Sequence, residues 1–127
     1  MGADFGYIGS PFLAMEEANT AEEQKQMIVA CSSKDIVVTN CFTGVNATFM
    51  RPSIEAHGLD PEAMKRPEGM AIDISGGGAD ARAWRDIWSA GQGIGAVKRS
   101  GPAGGYIDQL VSEYHAARAA LCGDASN

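Results

Sequence analysis

The chain of 127 residues has the length of one ordinary domain, and its 45% hydrophobic and 20% charged residues are typical of a globular protein with a buried core. A formal net charge of -6 argues against binding to nucleic acid or to anionic membranes, because both need clustered basic residues. The chain starts with no basic and apolar leader and contains no run long enough to span a membrane, so we expect a cytoplasmic protein.

The N-terminal segment is predicted to hold a strand followed by helical structure. Residues 4–8 have the bulky side chains of a short strand, which a glycine ends. Residues 12–18 are typical of one or two helical turns. Thr20 and Glu23 then have the spacing of a capping box, which predicts a helix from there to about residue 31.

The middle of the chain is predicted to hold one buried strand and two short helices. After a turn, the β-branched run Ile36–Thr39 indicates the strand, and residues 40–50 are predicted to be irregular. Pro52 suits the first position of a helix that Gly58 would end, and Asp60 with the proline after it favours a second helix start.

The last third of the chain is predicted to be a loop and two helices. The glycines of residues 75–78 favour a loop, and Asp80 is suited to cap a helix that runs to Trp88. The terminal helix is expected over residues 103–122. Apolar residues recur on one face of it: Ile107, Leu110, Val111, Tyr114 and Leu121.

This organisation contains only two predicted strands, at residues 4–8 and 36–39. Two strands leave their edges unpaired and cannot cover a core. We therefore interpret the chain as part of a larger α/β sheet that other residues complete.

Gly9 and Ser10 form the first candidate site. A glycine lets an anion approach the backbone, a serine offers a hydroxyl, and the start of the next helix adds N–H groups and a positive dipole end, so the pair has the elements of a phosphate cradle. The alternative is a plain strand-to-helix turn, which is the more common use of such a pair.

A second glycine-rich segment, residues 91–96, matches the loose form of a dinucleotide fingerprint, G-x-G-x-x-A. The fingerprint needs a strand before it and a helix after it, whereas a helical pattern precedes this segment and Gly101 with Pro102 follows it closely. We therefore interpret it as a helix end followed by a glycine turn, in which Gln92 contacts either a ligand or the backbone.

The remaining reactive side chains give no pattern of a catalytic or metal site. Cys31, Cys41 and Cys122 lack the spacing of a disulfide framework or a zinc site, which favours a reducing compartment. His57 and His115 have no partner at a telling spacing, and we expect His57 to interact with the end of its own helix.

Three segments, residues 2–18, 35–62 and 83–97, together resemble the nitronate monooxygenase family, formerly called 2-nitropropane dioxygenases. The first resembles the family's segment around a Gly-Thr pair, the second its strand and "FTG" region, and the third its "WSAGQ" segment. The three matches occur in the family's order and cover most of the chain.

The resemblance implies an enzyme with flavin mononucleotide (FMN) on a TIM barrel that oxidises alkyl nitronates with oxygen. Gly9 and Ser10 would follow a late barrel strand and hold the FMN phosphate, with Ser10 in place of threonine. Pro11 replaces a common arginine, which removes a cation and a backbone N–H. Gln92 matches the glutamine of the family's AGQ and would face the active site, where the resemblance makes it a third cofactor-binding residue.

The same resemblance implies that the chain is incomplete. A TIM barrel takes about 250 residues, and the match covers only the C-terminal part of the family. We expect a single partial domain with three sections, residues 1–31, 32–79 and 80–127. The family's histidine has no counterpart here, so no catalytic residue is predicted, and the chain alone is expected to be inactive. The cysteine and histidine spacing described above predicts no metal site either.

Two alternatives stay open. A flavin-dependent enoyl-acyl-carrier-protein reductase shares much of the same barrel pattern. The chain could instead be a non-catalytic remnant that forms a small α/β interaction module or a homo-oligomer, burying its strand edges and the face shared by Trp84 and Trp88.

Overall fold

A computed structural model describes residues 4–42, 45–63 and 86–122. Within these ranges the protein is mixed α/β, with four α-helices and one two-stranded sheet. In chain order the elements are α1 (Ser10–Leu13), α2 (Glu22–Ala30), β1 (Ile36–Thr39), β2 (Ala47–Met50), α3 (Arg51–Ala56) and α4 (Ala103–Cys122). Two 3₁₀ turns cover Ser33–Asp35 and Gln92–Ala96. None of the helices in these ranges has the length and apolar character needed to cross a membrane.

The predicted first strand at residues 4–8 is wrong. This segment pairs with no other described strand, and Phe5 and Tyr7 are almost fully exposed. A strand needs a partner for its backbone groups, and bulky side chains alone do not supply one. The helical turns expected over 12–18 are replaced by the shorter helix α1, which ends at Leu13. Met15 then forms an isolated parallel bridge with Gly101.

Helix α2 is confirmed, but its predicted capping box is wrong. The helix begins at Glu22 after Ala21, and no side chain caps it. A capping box forms instead at the expected turn after the helix. There Asp35 Oδ2 accepts hydrogen bonds from the backbone N–H of Ser32 at 2.7 Å and from its hydroxyl at 2.8 Å. These bonds lower the pKa of Asp35, with the backbone N–H as the larger cause.

Strand β1 is confirmed, but it is not buried as predicted, since Val38 is 57% exposed and Thr39 is its one buried residue. Its partner β2 lies in the region predicted to be irregular. The strands are antiparallel, with Ile36 opposite Met50 and Thr39 opposite Ala47. The rings of Phe42 and Phe49 pack edge to face with centroids 4.8 Å apart. β2 carries no clear alternating pattern of its own, so cross-strand pairing decides its conformation.

Helix α3 is confirmed with proline in its first turn. Gly58 follows it with φ of +73°, the left-handed conformation in which helices commonly end. Asp60 begins a turn in which its Oδ1 accepts a hydrogen bond from the N–H of Glu62 at 2.9 Å. The loop at 75–78 and most of the helix predicted from Asp80 lie outside the described residues.

The core has two clusters, and the segment around Trp88 lies beside the junction of β2 and α3. Met50 N–H donates to the Trp88 carbonyl at 3.0 Å, and Trp88 N–H donates to the buried Ser53 hydroxyl at 2.8 Å. The main cluster contains Ala14, Met15, Ile28, Cys31, Met50, Ala90, Ile94 and Val97, and the smaller one contains Phe42, Phe49, Ile54 and Ile87. The main cluster therefore connects the N-terminal segment with the second glycine-rich segment.

The terminal helix α4 is confirmed with the predicted bounds, and its first turns attach it to the other described residues. Ala103 N–H donates to both carboxylate oxygens of Glu17, at 3.0 and 2.9 Å. The Phe12 and Tyr106 rings pack edge to face at 5.6 Å. No residue of α4 is fully buried; on the predicted apolar face Leu110 is half-buried, whereas Ile107, Val111, Tyr114 and Leu121 are exposed.

Candidate functional site

The two glycine-containing segments singled out by the sequence meet in the structure. The Ser10 hydroxyl oxygen accepts a hydrogen bond from the backbone N–H of Gly91 at 2.8 Å, across 81 positions of sequence. A Cβ atom added to Gly91 would lie 3.3 Å from that oxygen, which is tighter than most real contacts. Glycine at this position therefore allows the two segments to approach this closely.

The contact lies in a cleft of about 710 Å³ with three walls. Residues 7–11 form the first wall, and helix α4 forms another with Tyr106, Gln109, Leu110 and Glu113. The second glycine-rich segment and the residues after it contribute Gly91, Gly93, Ala96 and Lys98. The cleft thus joins the predicted phosphate segment to the terminal helix.

Ser10 has a free donor in this cleft. Its hydroxyl oxygen accepts from Gly91, and none of the described residues accepts the hydroxyl proton. A hydroxyl can donate one hydrogen bond and accept two. Ser10 can therefore donate to a ligand oxygen without losing its contact with Gly91.

The start of α1, at Ser10, contributes less to anion binding than the sequence predicts. Helix α1 has only four residues, so few peptide dipoles align to give a positive end. Pro11 occupies its first turn and carries no N–H. An anion in this cleft would therefore depend mainly on the serine hydroxyl and on side-chain charge.

Lys98 supplies a positive charge at the cleft that the sequence analysis did not single out. It is exposed, and its Nζ donates to the carbonyl of Gly95. In the sequence, this role was indicated by the position of Lys98, which follows Gln92 by six residues, just after the same glycine turn. Glu113 also lines the cleft, and its carboxylate accepts from Gln109 Nε2 at 2.7 Å, so the charges around the cleft are mixed.

Gln92 does not lie among the residues that line this cleft. It is exposed and opens the 3₁₀ turn, while its neighbours Gly91 and Gly93 line the cleft. The structure therefore joins Gly9 and Ser10 to the turn that contains Gln92 and leaves the Gln92 side chain outside. A flavin contact of Gln92 stays a prediction.

The other reactive side chains that the sequence analysis considered are those of His57 and the three cysteines. His57 Nδ1 lies 2.8 Å from the Ser53 carbonyl, which confirms the interaction with its own helix. Cys31, Cys41 and Cys122 form no disulfide with one another, and burial raises the pKa of Cys31. The described residues contain no group of three His, Cys, Asp or Glu side chains that could hold a metal ion.

Trp88 is partly buried against the main core cluster. Trp84, with which it was predicted to share a face, lies outside the described residues.

Comparison with known proteins assigns no family: no protein-family model matches the chain, and neither curated proteins nor solved structures give a match. The resemblance to nitronate monooxygenases therefore depends on the three segments described above.

Proposed function

We propose that this cleft binds the phosphate of FMN, and that the chain is the C-terminal portion of a nitronate monooxygenase-like TIM barrel. The observation that carries the proposal is the bond between Ser10 and Gly91. It brings into one cleft two segments that the resemblance separately associates with the flavin, although they are far apart in sequence.

The groups at the cleft fit a phosphate. The Ser10 hydroxyl can donate to a phosphate oxygen while keeping its bond to Gly91. A Cβ added to Gly9 or to Gly93 would meet nothing within 4 Å, so a ligand can approach the backbone at both positions. Pro11 stands where the family commonly has an arginine, so that cation is missing from this chain. Lys98 supplies a cation at the same cleft.

The size and lining of the cleft fit the rest of such a ligand. A volume of about 710 Å³ is within the range of small-molecule sites, roughly 300–1,000 Å³. Ile8, Tyr106 and Leu110 offer apolar contacts beside the polar groups. Bound FMN would supply the redox chemistry, and these residues would hold and orient it.

The first experiment compares FMN with riboflavin, which lacks the phosphate. We expect FMN to bind the purified chain and riboflavin to bind at least about tenfold more weakly, because a charge-assisted hydrogen bond contributes about 1.5–3 kcal/mol. Quenching of flavin fluorescence measures both affinities. Equal affinities, or no binding of either flavin, would contradict the proposal.

Two substitutions test the residues that hold the phosphate. Ser10→Ala and Lys98→Ala should each weaken FMN binding and leave riboflavin binding nearly unchanged, and the effect of Lys98 should fall with added salt because the side chain is exposed. Ser112→Ala and Lys34→Ala remove the same groups from exposed positions outside the cleft and are the matched controls.

The chain alone should not oxidise propyl-2-nitronate, even with saturating FMN. The resemblance places the histidine of the family outside this sequence, so this chain would hold the cofactor without a group to act on the substrate. Oxygen consumption measures the activity. Turnover that depends on added FMN would show that catalytic residues are present after all.

A further inference from the structure

The terminal helix α4 has an apolar face that the rest of the described structure leaves open. Ile107 is 48% exposed, Tyr114 is 64% exposed and Leu121 is 85% exposed. The apolar residues follow an alternating spacing of three and four: Ile107, Leu110, Tyr114, Ala117 and Leu121. This is the a and d spacing of helices that pack side by side, with residues 107, 114 and 121 at a.

The contacts of α4 with the body of the protein use an adjacent side of the helix, which shares only Leu110 with the apolar face. Tyr106 packs on Phe12, and Gln109, Leu110 and Glu113 line the cleft. Residues 106, 109, 110 and 113 lie on one side of the helix because they are three and four positions apart. The a positions therefore stay available when α4 is docked.

Two charged residues flank the apolar face, and their spacing along α4 indicates which partner would cover it. With residue 107 at a, Glu113 is at g and Arg118 is at e, five positions later. In a parallel pair of identical helices, each g residue lies near the e residue five positions later in the other chain. Such a dimer would therefore contain two equivalent Glu113–Arg118 pairs. The preceding pair of this kind, Tyr106 with Val111, is apolar on both sides.

We propose that the occupant of this face is α4 of a second copy of the chain, packed in parallel. An antiparallel pair would place e beside e and g beside g, which separates Glu113 from Arg118. The repeat spans less than three heptads and has alanine at residue 117, so the association is a concentration-dependent equilibrium between monomer and dimer.

Sedimentation velocity of the full chain over a range of concentrations tests the dimer. We expect Tyr114→Glu combined with Leu121→Glu to weaken dimerisation by about 100-fold or more, because the interface would bury unpaired charges. Ser112→Glu places a charge on the opposite side of α4 and should leave the equilibrium unchanged. Circular dichroism confirms that each variant keeps its helix content.

A charge exchange tests the pairing of Glu113 with Arg118. Glu113→Arg and Arg118→Glu each bring like charges together and should weaken dimerisation by roughly three- to tenfold, which is typical of exposed ion pairs. The double variant restores opposite charges and should recover the original affinity.

Disulfide trapping tests the parallel orientation. Ile107→Cys in a Cys122→Ser background should form an intermolecular disulfide, because equivalent a residues face each other in a parallel pair and bridged cysteines need Cα atoms within about 7 Å. Ser112→Cys in the same background should not. A chain that stays monomeric, a dimer or larger aggregate insensitive to the Tyr114 and Leu121 substitutions, or equal crosslinking by both cysteine variants overturns the proposal.

Discussion

Helices α2 and α4 differ in a way that their sequences do not suggest. The nine residues of α2 are mostly polar, yet Ile28 is fully buried and Lys25 is nearly so. The twenty residues of α4 carry the longer apolar face, and none of them is buried. Apolar spacing therefore predicts which side of a helix can be covered, but not whether anything covers it.

The difference follows from where each helix contacts its neighbours. α2 contacts both α1 and the second 3₁₀ turn, and Lys25 Nζ reaches the Glu16 carbonyl at 3.4 Å while its aliphatic stem is buried. α4 is held by its first turns, through Glu17 and Tyr106. Stability should therefore depend on α2, whereas most of the apolar face of α4 is exposed.

A matched pair of isoleucines gives the largest expected effect. Ile28→Ala should lower the free energy of unfolding by about 2–5 kcal/mol, because the side chain is fully buried in the main core cluster. Ile107→Ala makes the same change on α4 and should cost about 0.5 kcal/mol or less. Urea unfolding at low protein concentration measures both. Similar losses at the two positions would show that α4 is packed as tightly as α2.

Ser53→Ala should have a smaller effect on the body. The Ser53 hydroxyl is buried and accepts from the Trp88 N–H, so its removal leaves a partly buried donor unpaired at a cost of about 1–3 kcal/mol. The same urea unfolding experiment measures this cost, and Ser33→Ala at an exposed position is the control. If the two variants are equally stable, Trp88 does not depend on this bond to stay beside α3.

Glu17→Gln should loosen α4 without unfolding the body. The Glu17 carboxylate accepts from the Ala103 N–H at the start of the helix, where backbone donors lack partners within the helix. We expect faster amide hydrogen exchange in the first turn of α4 and unchanged exchange in α2. Glu16→Gln keeps the backbone bonds of that residue and is the control. If the amides of α4 are equally protected in the natural protein, in Glu17→Gln and in Glu16→Gln, Glu17 does not have this role.

Acid should have the smallest effect and should begin at the same contact. The hydrogen bond from Ala103 is the largest cause that lowers the pKa of Glu17. A lowered pKa means that folding favours the carboxylate, so its contribution is complete above the ordinary glutamate value of about 4.3 and is lost as the pH falls through the lower folded value. The protection of the α4 amides, corrected for the intrinsic exchange rate at each pH, should therefore decrease below about pH 4.3 in the natural sequence and change less in Glu17→Gln. Identical pH profiles would contradict this assignment.

Several elements could be predicted from the sequence because their signals are local. Proline at the start of α3 and Gly58 after its end set backbone angles directly, and the run of β-branched residues favours β1. The candidate site was predicted only in part. Gly9 and Ser10 do line a cleft, whereas Gln92 does not and Lys98 was not singled out.

The sequence by itself determined the bounds of α4, the position of β1 and the glycine and serine at the cleft, since turn chemistry and helical spacing act over a few residues. Only the tertiary structure decided that β2 pairs with β1, that residues 4–8 have no described partner strand, and that Ser10 meets Gly91. These outcomes depend on residues that are distant in sequence, because pairing and burial need a second surface that a local pattern does not specify.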